Sequence, residues 1–86
     1  MIIYKYPLRL VHRQTIALPP EGKVLSIQIQ NHIPCLWAML QSETPTRSTD
    51  IVIVGTGCAF DNTGLEYIDT FQIGISVWHV FRRASE

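Results

Sequence analysis

Two stretches of this chain are apolar without a break. Cys35-Leu36-Trp37-Ala38-Met39-Leu40 and Ile51-Val52-Ile53-Val54 place a hydrophobic side chain at every position. A strand sends successive side chains to opposite faces, so a strand with one face in water should be polar at every second residue. Both runs therefore predict strands covered on both faces. No segment sustains the period of a helix that would supply the cover. The second face is expected to lie under another sheet layer or another subunit, and the chain is expected to form a homo-oligomer.

The rest of the pattern reads as strands and turns. Positions 2–6, Ile-Ile-Tyr-Lys-Tyr, are β-branched and aromatic and stop at Pro7. A short segment over 8–11 follows, then 14–18 alternates and ends at Pro19-Pro20-Glu21-Gly22, the clearest turn signal present. Over 23–30, Leu25, Ile27 and Ile29 are expected on one face and Ser26, Gln28 and Gln30 on the other. Asn31-His32-Ile33-Pro34 is expected to connect this strand to its hairpin partner over 35–41. The polar stretch 42–48 reads as a loop. A strand over 49–55 leads into a glycine-rich loop over 56–64. Segment 65–72 is ambiguous: Leu65, Ile68 and Phe71 fit helical spacing, whereas Tyr67, Thr70 and Phe71 favour a strand, which is the assignment adopted. The last strand, 75–82, carries Ile75, Val77, His79 and Phe81 on one face and Ser76, Trp78, Val80 and Arg82 on the other. About seven short strands with frequent turns predict an all-β fold, a small antiparallel sandwich or barrel, in one domain over 1–86.

Composition sharpens this expectation. Of 86 residues, 47% are hydrophobic and 16% charged, against about 25% charged in an average domain. A chain this apolar folds rather than staying disordered. It also holds more to bury than a core of its size requires, which again points to a partner surface. Net charge is zero, a balance that argues against a nucleic-acid polymer as partner. No apolar run approaches the roughly 18 residues of a membrane span, and the first residues are strand-like rather than a leader. A cytoplasmic protein without a membrane partner is expected. Cys35 and Cys58 match neither a disulfide framework nor a zinc motif.

Charge is unevenly placed. Arg9, His12 and Arg13 cluster near the start, and His79, Arg82 and Arg83 near the end. Pairing of the terminal strands would merge them into one basic patch; otherwise they are solubilising charges at sheet edges. Gly55-Thr56-Gly57 follows an apolar strand but lacks the third glycine and the helix of a dinucleotide-binding turn. Its backbone N–H groups still suit an anion. No two of His12, His32 and His79 have metal-ligand spacing, and His79 reads as a hydrogen-bonded core or edge residue. Cys58 has no neighbouring base to activate it, and Asp61, Glu66 and Asp69 read as solvated charges. No catalytic residue, metal ligand or cofactor is expected.

Trp37, in the middle of its run, reads as core, while Tyr4, Tyr6, Tyr67 and Trp78 offer stacking area. Guanidinium groups fit phosphate geometry. Together these features suggest a binding protein that captures a small anionic ligand, plausible in size and chemistry for a nucleotide derivative, through Tyr6, Arg9, Arg13, Gly55, Thr56, Gly57, Trp78 and Arg82. The alternative is a protein–protein interaction module. A small nucleotide hydrolase is disfavoured, because no base–nucleophile or metal set is visible.

Ile3-Tyr4-Lys5-Tyr6-Pro7-Leu8, Pro34-Cys35-Leu36-Trp37-Ala38, Gly55-Thr56-Gly57 and Gly64-Leu65-Glu66-Tyr67-Ile68, followed by Thr70-Phe71-Gln72, occur together here. In that combination the chain resembles a family of small proteins of unknown function encoded by phages and prophages, from Ile3 to Phe81. The resemblance implies a phage accessory protein in the cytoplasm of an infected bacterial host. Such proteins block host defence, by binding a defence protein or by sequestering a nucleotide immune signal in a pocket between subunits, or else serve phage assembly. Asp69 stands where relatives often carry glycine, so its strand is expected to be less regular there. The resemblance supplies no catalytic residues.

Overall fold

Asn31 and His32 both adopt left-handed backbone, with φ of 52° and 67°. Two consecutive residues of this kind make the tight hairpin turn whose twist matches that of the flanking strands. The connection therefore needs two residues rather than four, and the following strand begins at Ile33 instead of Cys35. Pro34 is tolerated inside it because the neighbouring strand on its other side ends opposite Cys35.

The fold is described from a computed structural model, over residues 1–41 and 47–83. Positions 42–46 of the expected polar loop lie outside the described residues. Among the described residues seven strands form, β1 (Ile2–Pro7), β2 (Arg13–Ile16), β3 (Lys23–Gln30), β4 (Ile33–Leu40), β5 (Thr49–Gly55), β6 (Leu65–Ile73) and β7 (Ser76–Arg83). They make a small sheet in the order β1-β4-β3 and a large sheet in the order β2-β5-β7-β6, with every pairing antiparallel. No helix occurs among the described residues, and hence none long and apolar enough to cross a membrane.

The sheets share one hydrophobic cluster. Ile27, Leu36, Ala38 and Leu40 of the small sheet belong to it together with Ile51, Ile53, Phe71 and Val80 of the large one. Each of these side chains except Ala38, taken fully out of water, stabilises the fold by about 1.5–3 kcal/mol. Gly22 closes the Pro19–Gly22 turn, its N–H donating to the Pro19 carbonyl at 2.9 Å. A Cβ there would lie 2.6 Å from Leu40 and 2.7 Å from Leu18, so the close approach of turn and core requires glycine.

Two β-bulges alter the expected faces. On β3 the pairing slips between Val24 and Ser26. Val24 thereby packs against the core with Ile27, while Leu25 leaves the alternation and is 45% exposed. On β6 the slip falls between Tyr67 and Asp69. The extra residue, Ile68, explains why Leu65, Ile68 and Phe71 mimic helical spacing in a strand. It also puts the irregularity where the resemblance placed it. Asp69 uses it to reach across, its carboxylate accepting the Ile27 N–H of β3 at 2.8 Å, which ties the edges of the two sheets together.

The two doubly apolar strands are covered differently. In β5, Ile51 and Ile53 enter the core, and Val52 and Val54 on the opposite face are also buried. Their cover is this same chain: Ala59 and Phe60 of the loop over 56–64, and the segment from Leu10 to Arg13. Phe60 stacks on Phe81 at 5.1 Å, and Phe81 meets Tyr67 at 5.7 Å. No second subunit is needed over β5. In β4 the outward row is Cys35, Trp37 and Met39, of which Trp37 and Met39 stay partly exposed. Trp37 is thus an outer-face residue rather than core, with the Lys5 ammonium 5.9 Å from its ring.

Candidate anion-binding cleft

Strand order brings the two ends of the sequence together. Arg13 of β2 pairs with Val52 of β5, and Val52 with Phe81 of β7, so the three form one row on the outer face of the large sheet. Arg83 lies two residues beyond Phe81, on the same face. The terminal strands β1 and β7 lie in different sheets and do not pair. The basic residues meet nonetheless, in part, because β5 bridges them: His12, Arg13 and Arg83 line one cleft of about 250 Å³.

Local structure holds each side of this cleft. Gln14 is buried, and its side chain donates to the Arg9 carbonyl at 2.7 Å while accepting the Arg9 N–H at 3.0 Å. That two-point clasp shapes the approach to β2. His12 extends the β2–β5 ladder, its carbonyl accepting the Ile53 N–H at 2.9 Å. His12 Nδ1 lies 3.2 Å from the Ile53 carbonyl. A carbonyl only accepts, so Nδ1 carries the proton in this contact.

The opposite wall is the turn over 61–64. Asp61 accepts the Thr63 N–H at 2.9 Å, and Gly64, at φ 72°, reverses the chain into β6. The Thr63 hydrogen bonds hold the Asp61 carboxyl below the usual carboxylate range, with a further contribution from the Arg83 charge. Arg13 sits 3.7 Å from Asp50 in an exposed ion pair, an interaction of small net value that an incoming anion can displace.

A second cleft of about 230 Å³ adjoins the first, sharing His12 and Ala59 with it. Its other walls are apolar or small: Leu10, Val11, Ile53, Val54, Cys58 and Trp78 beside Gly55. The two clefts are neighbours, one lined mainly by apolar side chains and the other carrying Arg13, Arg83 and Asp61. Beside them, Thr56 Oγ1 lies 2.7 Å from His79 Nε2, and Thr70 Oγ1 lies 3.1 Å from Nδ1 and 2.5 Å from the Tyr67 hydroxyl. Both ring nitrogens of His79 are therefore occupied by hydroxyls, in keeping with a hydrogen-bonded structural histidine.

The residues singled out from the sequence are dispersed. Arg13 lines the cleft that carries Arg83 and Asp61, and Gly55 and Trp78 the apolar cleft. Thr56 and Gly57 lie in the adjoining loop, Thr56 bonded to His79 and to the Val77 carbonyl. Arg9 contributes its backbone to the Gln14 clasp and lines neither cleft. Tyr6 belongs to the small sheet; its hydroxyl donates to the Ala17 carbonyl at 3.2 Å, and burial, then Tyr4, pushes its ionisation up. Arg82 points to the inner side and is engaged there, donating to the Pro20 and Gly22 carbonyls at 2.9 and 3.2 Å and pairing with Glu66 at 3.4 Å. Arg83, His12 and Asp61 were not singled out for the site. Extending the alternation of the last strand by one residue places Arg83 beside Phe81 and His79; nothing local to the sequence marks Asp61.

Among the described residues, no three His, Cys, Asp or Glu side chains cluster to hold a metal ion. Cys35 and Cys58 are free thiols, one buried and one exposed.

Architecture and site define a two-sheet antiparallel β protein with two neighbouring clefts on its larger sheet. The chain belongs to the family described as a domain of unknown function, DUF7352, whose model matches residues 1–86. No curated protein and no solved structure matches it.

Proposed function

We propose that this chain is a binding protein that captures a small anionic ligand of nucleotide type in the neighbouring clefts of the large sheet. The observation that carries the reading is the meeting of Arg13 and Arg83 in one cleft that neighbours an apolar one. Guanidinium groups recognise phosphate by charge and by paired N–H donors, and an apolar cleft accepts the face of a base. His12 lines both clefts. Arg82 and Tyr6 drop out of the proposed site, since both are engaged within the fold.

In biological terms the reading is a phage accessory protein acting in the cytoplasm of an infected bacterium, which sequesters a nucleotide-derived immune signal of the host without turning it over. The phage setting rests on the sequence resemblance alone. Calorimetric titration with a nucleotide panel tests capture. Binding that weakens about tenfold in Arg83→Ala, with an unchanged melting temperature of the free protein, is the expected result. Full affinity in both Arg13→Ala and Arg83→Ala would sink it.

A second reading, a module that docks on another protein or on a second copy of itself, is favoured by the open face of the small sheet. Ile3 is 60% exposed there beside Trp37 and Met39. That reading covers inhibition of a host factor, a part in phage assembly, and a homo-oligomer. Sedimentation of the purified chain separates the last from the others.

A further inference from the structure

We infer that a second copy of this chain pairs along the free edge of β1, joining the two small sheets into one continuous sheet. The inference rests on the second reading above and deepens it, naming the partner as this same chain and the contact as a strand edge rather than a sheet face.

A sheet edge offers unpaired N–H and C=O groups to any other strand, and folded chains blunt it by shortening, bulging or covering. The edges of β2, β6 and β3 are blunted in these ways. β2 has only four residues. β6 carries the bulge between Tyr67 and Asp69. β3 carries the other bulge, and its outward Ile27 N–H is taken by the Asp69 carboxylate at 2.8 Å. β1 is the exception. Its six residues run in unbroken register from Ile2 opposite Leu40 to Pro7 opposite Cys35. Among the described residues β4 is its only strand partner.

The pairing fixes which backbone groups face outward. Leu8, just after β1, donates its N–H to the Pro34 carbonyl of β4 at 2.8 Å. Along an antiparallel strand these groups alternate between the two sides. Tyr6, Tyr4 and Ile2 therefore bond to β4. The N–H and C=O groups of Ile3 and Lys5 point away from it. A lysine commonly guards such an edge, but the Lys5 ammonium is drawn back over its own sheet. It donates to Gln30 of β3 at 2.8 Å and lies 5.9 Å from the Trp37 ring. Pro7 ends the edge and does not interrupt it.

A two-fold axis sets two β1 strands antiparallel. Two registers within the strand use both outward donors of each copy. One sets Lys5 opposite Lys5 of the second copy, and like charges directly opposite destabilise a strand pair. The other is centred on Tyr4 and sets Ile3 opposite Lys5 of the second copy, with both N–H groups and both carbonyls of each such pair satisfied. It brings the two Tyr4 side chains together on the inner side, beside the edge-on contact of Tyr4 with Tyr6 at 6.4 Å. On the outer side the exposed Ile3 gains the aliphatic stem of the facing lysine. The geometry thus favours the Tyr4-centred register.

The test is sedimentation velocity of the full chain over a range of concentrations, repeated with Ile3→Lys and Ile3→Glu. Ile3 is 60% exposed, so both variants should fold, which circular dichroism checks. An edge contact is small for a specific interface, so a reversible dimer is expected, dominant by roughly 100 μM chain. Ile3→Lys places like charges opposite each other twice per dimer and should weaken it about tenfold. Ile3→Glu places opposite charges there and should hold or tighten it. Lys5→Pro removes an outward donor and no bond to β4, and should also weaken the dimer. A single chain at every concentration overturns the inference and removes the homo-oligomer from the second reading, leaving docking on another protein. A dimer weakened alike by Ile3→Lys and Ile3→Glu overturns the edge and returns the contact to the open face, where either charge is unfavourable. A dimer that Ile3→Lys leaves intact overturns the edge as well.

Discussion

The two sheets solve the same problem in opposite ways. β5, in the large sheet, is buried on both faces, with no residue from Ile51 to Val54 more than 4% exposed. β4, in the small sheet, is buried on its inner face and half-open on its outer one, at Trp37 and Met39. Both strands are uninterrupted hydrophobic runs, so their side chains alone do not separate them. What separates them is the chain available nearby. The large sheet is flanked by the long connection over 56–64 and by the approach to β2, which fold back as a roof. In the small sheet β3 and β4 are joined by two residues, Asn31 and His32, and a turn that short lays nothing across the face, which stays half-open among the described residues. A doubly apolar strand thus does not by itself secure a cover, and in β5 a loop of the same chain supplies one.

Three truncations measure that difference directly. Leu36→Ala, in the fully buried inner row of β4, should destabilise the protein by about 2–5 kcal/mol in chemical denaturation. Val52→Ala, on the roofed face of β5, should cost about 1.5–2.5 kcal/mol, close to the value for a core valine. Met39→Ala, on the open face of β4, should cost about 1 kcal/mol or less. A Val52 variant no more damaging than the Met39 one would show that the loop is no real cover. A Met39 variant as damaging as Leu36→Ala would show that something buries the small sheet's outer face in solution.

Arg82 tests how the two sheets are joined. Its guanidinium crosses from β7 to the Pro19–Gly22 turn, and only 20% of the side chain is exposed. Arg82→Met keeps the stem and removes the donors, and should lower stability by about 1–3 kcal/mol. Ligand affinity per folded molecule should be unchanged. Loss of affinity at full stability would return Arg82 to the binding site.

The smallest effect belongs to Tyr6 on the small sheet. Its ionisation is raised in the folded chain, first by burial and then by Tyr4. The unfolded chain therefore releases the phenolic proton first as pH rises. The associated stability is fully present below the ordinary tyrosine value near pH 10 and is lost as pH climbs through the folded value. Tyr6→Phe should flatten the alkaline fall in melting temperature. An identical alkaline limb in the variant would contradict the burial of this phenol.

Much of the architecture was legible from local signals. The Pro19-Pro20-Glu21-Gly22 turn, the faces of β7 and the all-β assignment follow from turn chemistry and period. The face of Leu25 was not legible, since a bulge is a property of the pairing of two strands and leaves no mark on one. The same holds for Ile68, whose bulge imitated a helix. The candidate site was legible in one respect, that Arg13 and the end of the chain carry basic residues. It was illegible in another, since Arg82 and Arg83 differ in surroundings by which side of the sheet each faces.

By itself the sequence determined strand formation, turn positions and the need to cover two apolar strands, because these depend on residues close along the chain. Only the tertiary structure decided that β5 is covered on both faces while the outer face of β4 stays half-open, and which charges meet. β2, β5 and β7 are distant in sequence and adjacent in the sheet, so the neighbours of Arg13, Arg83 and Asp61 are set by strand order, a quantity no local pattern encodes.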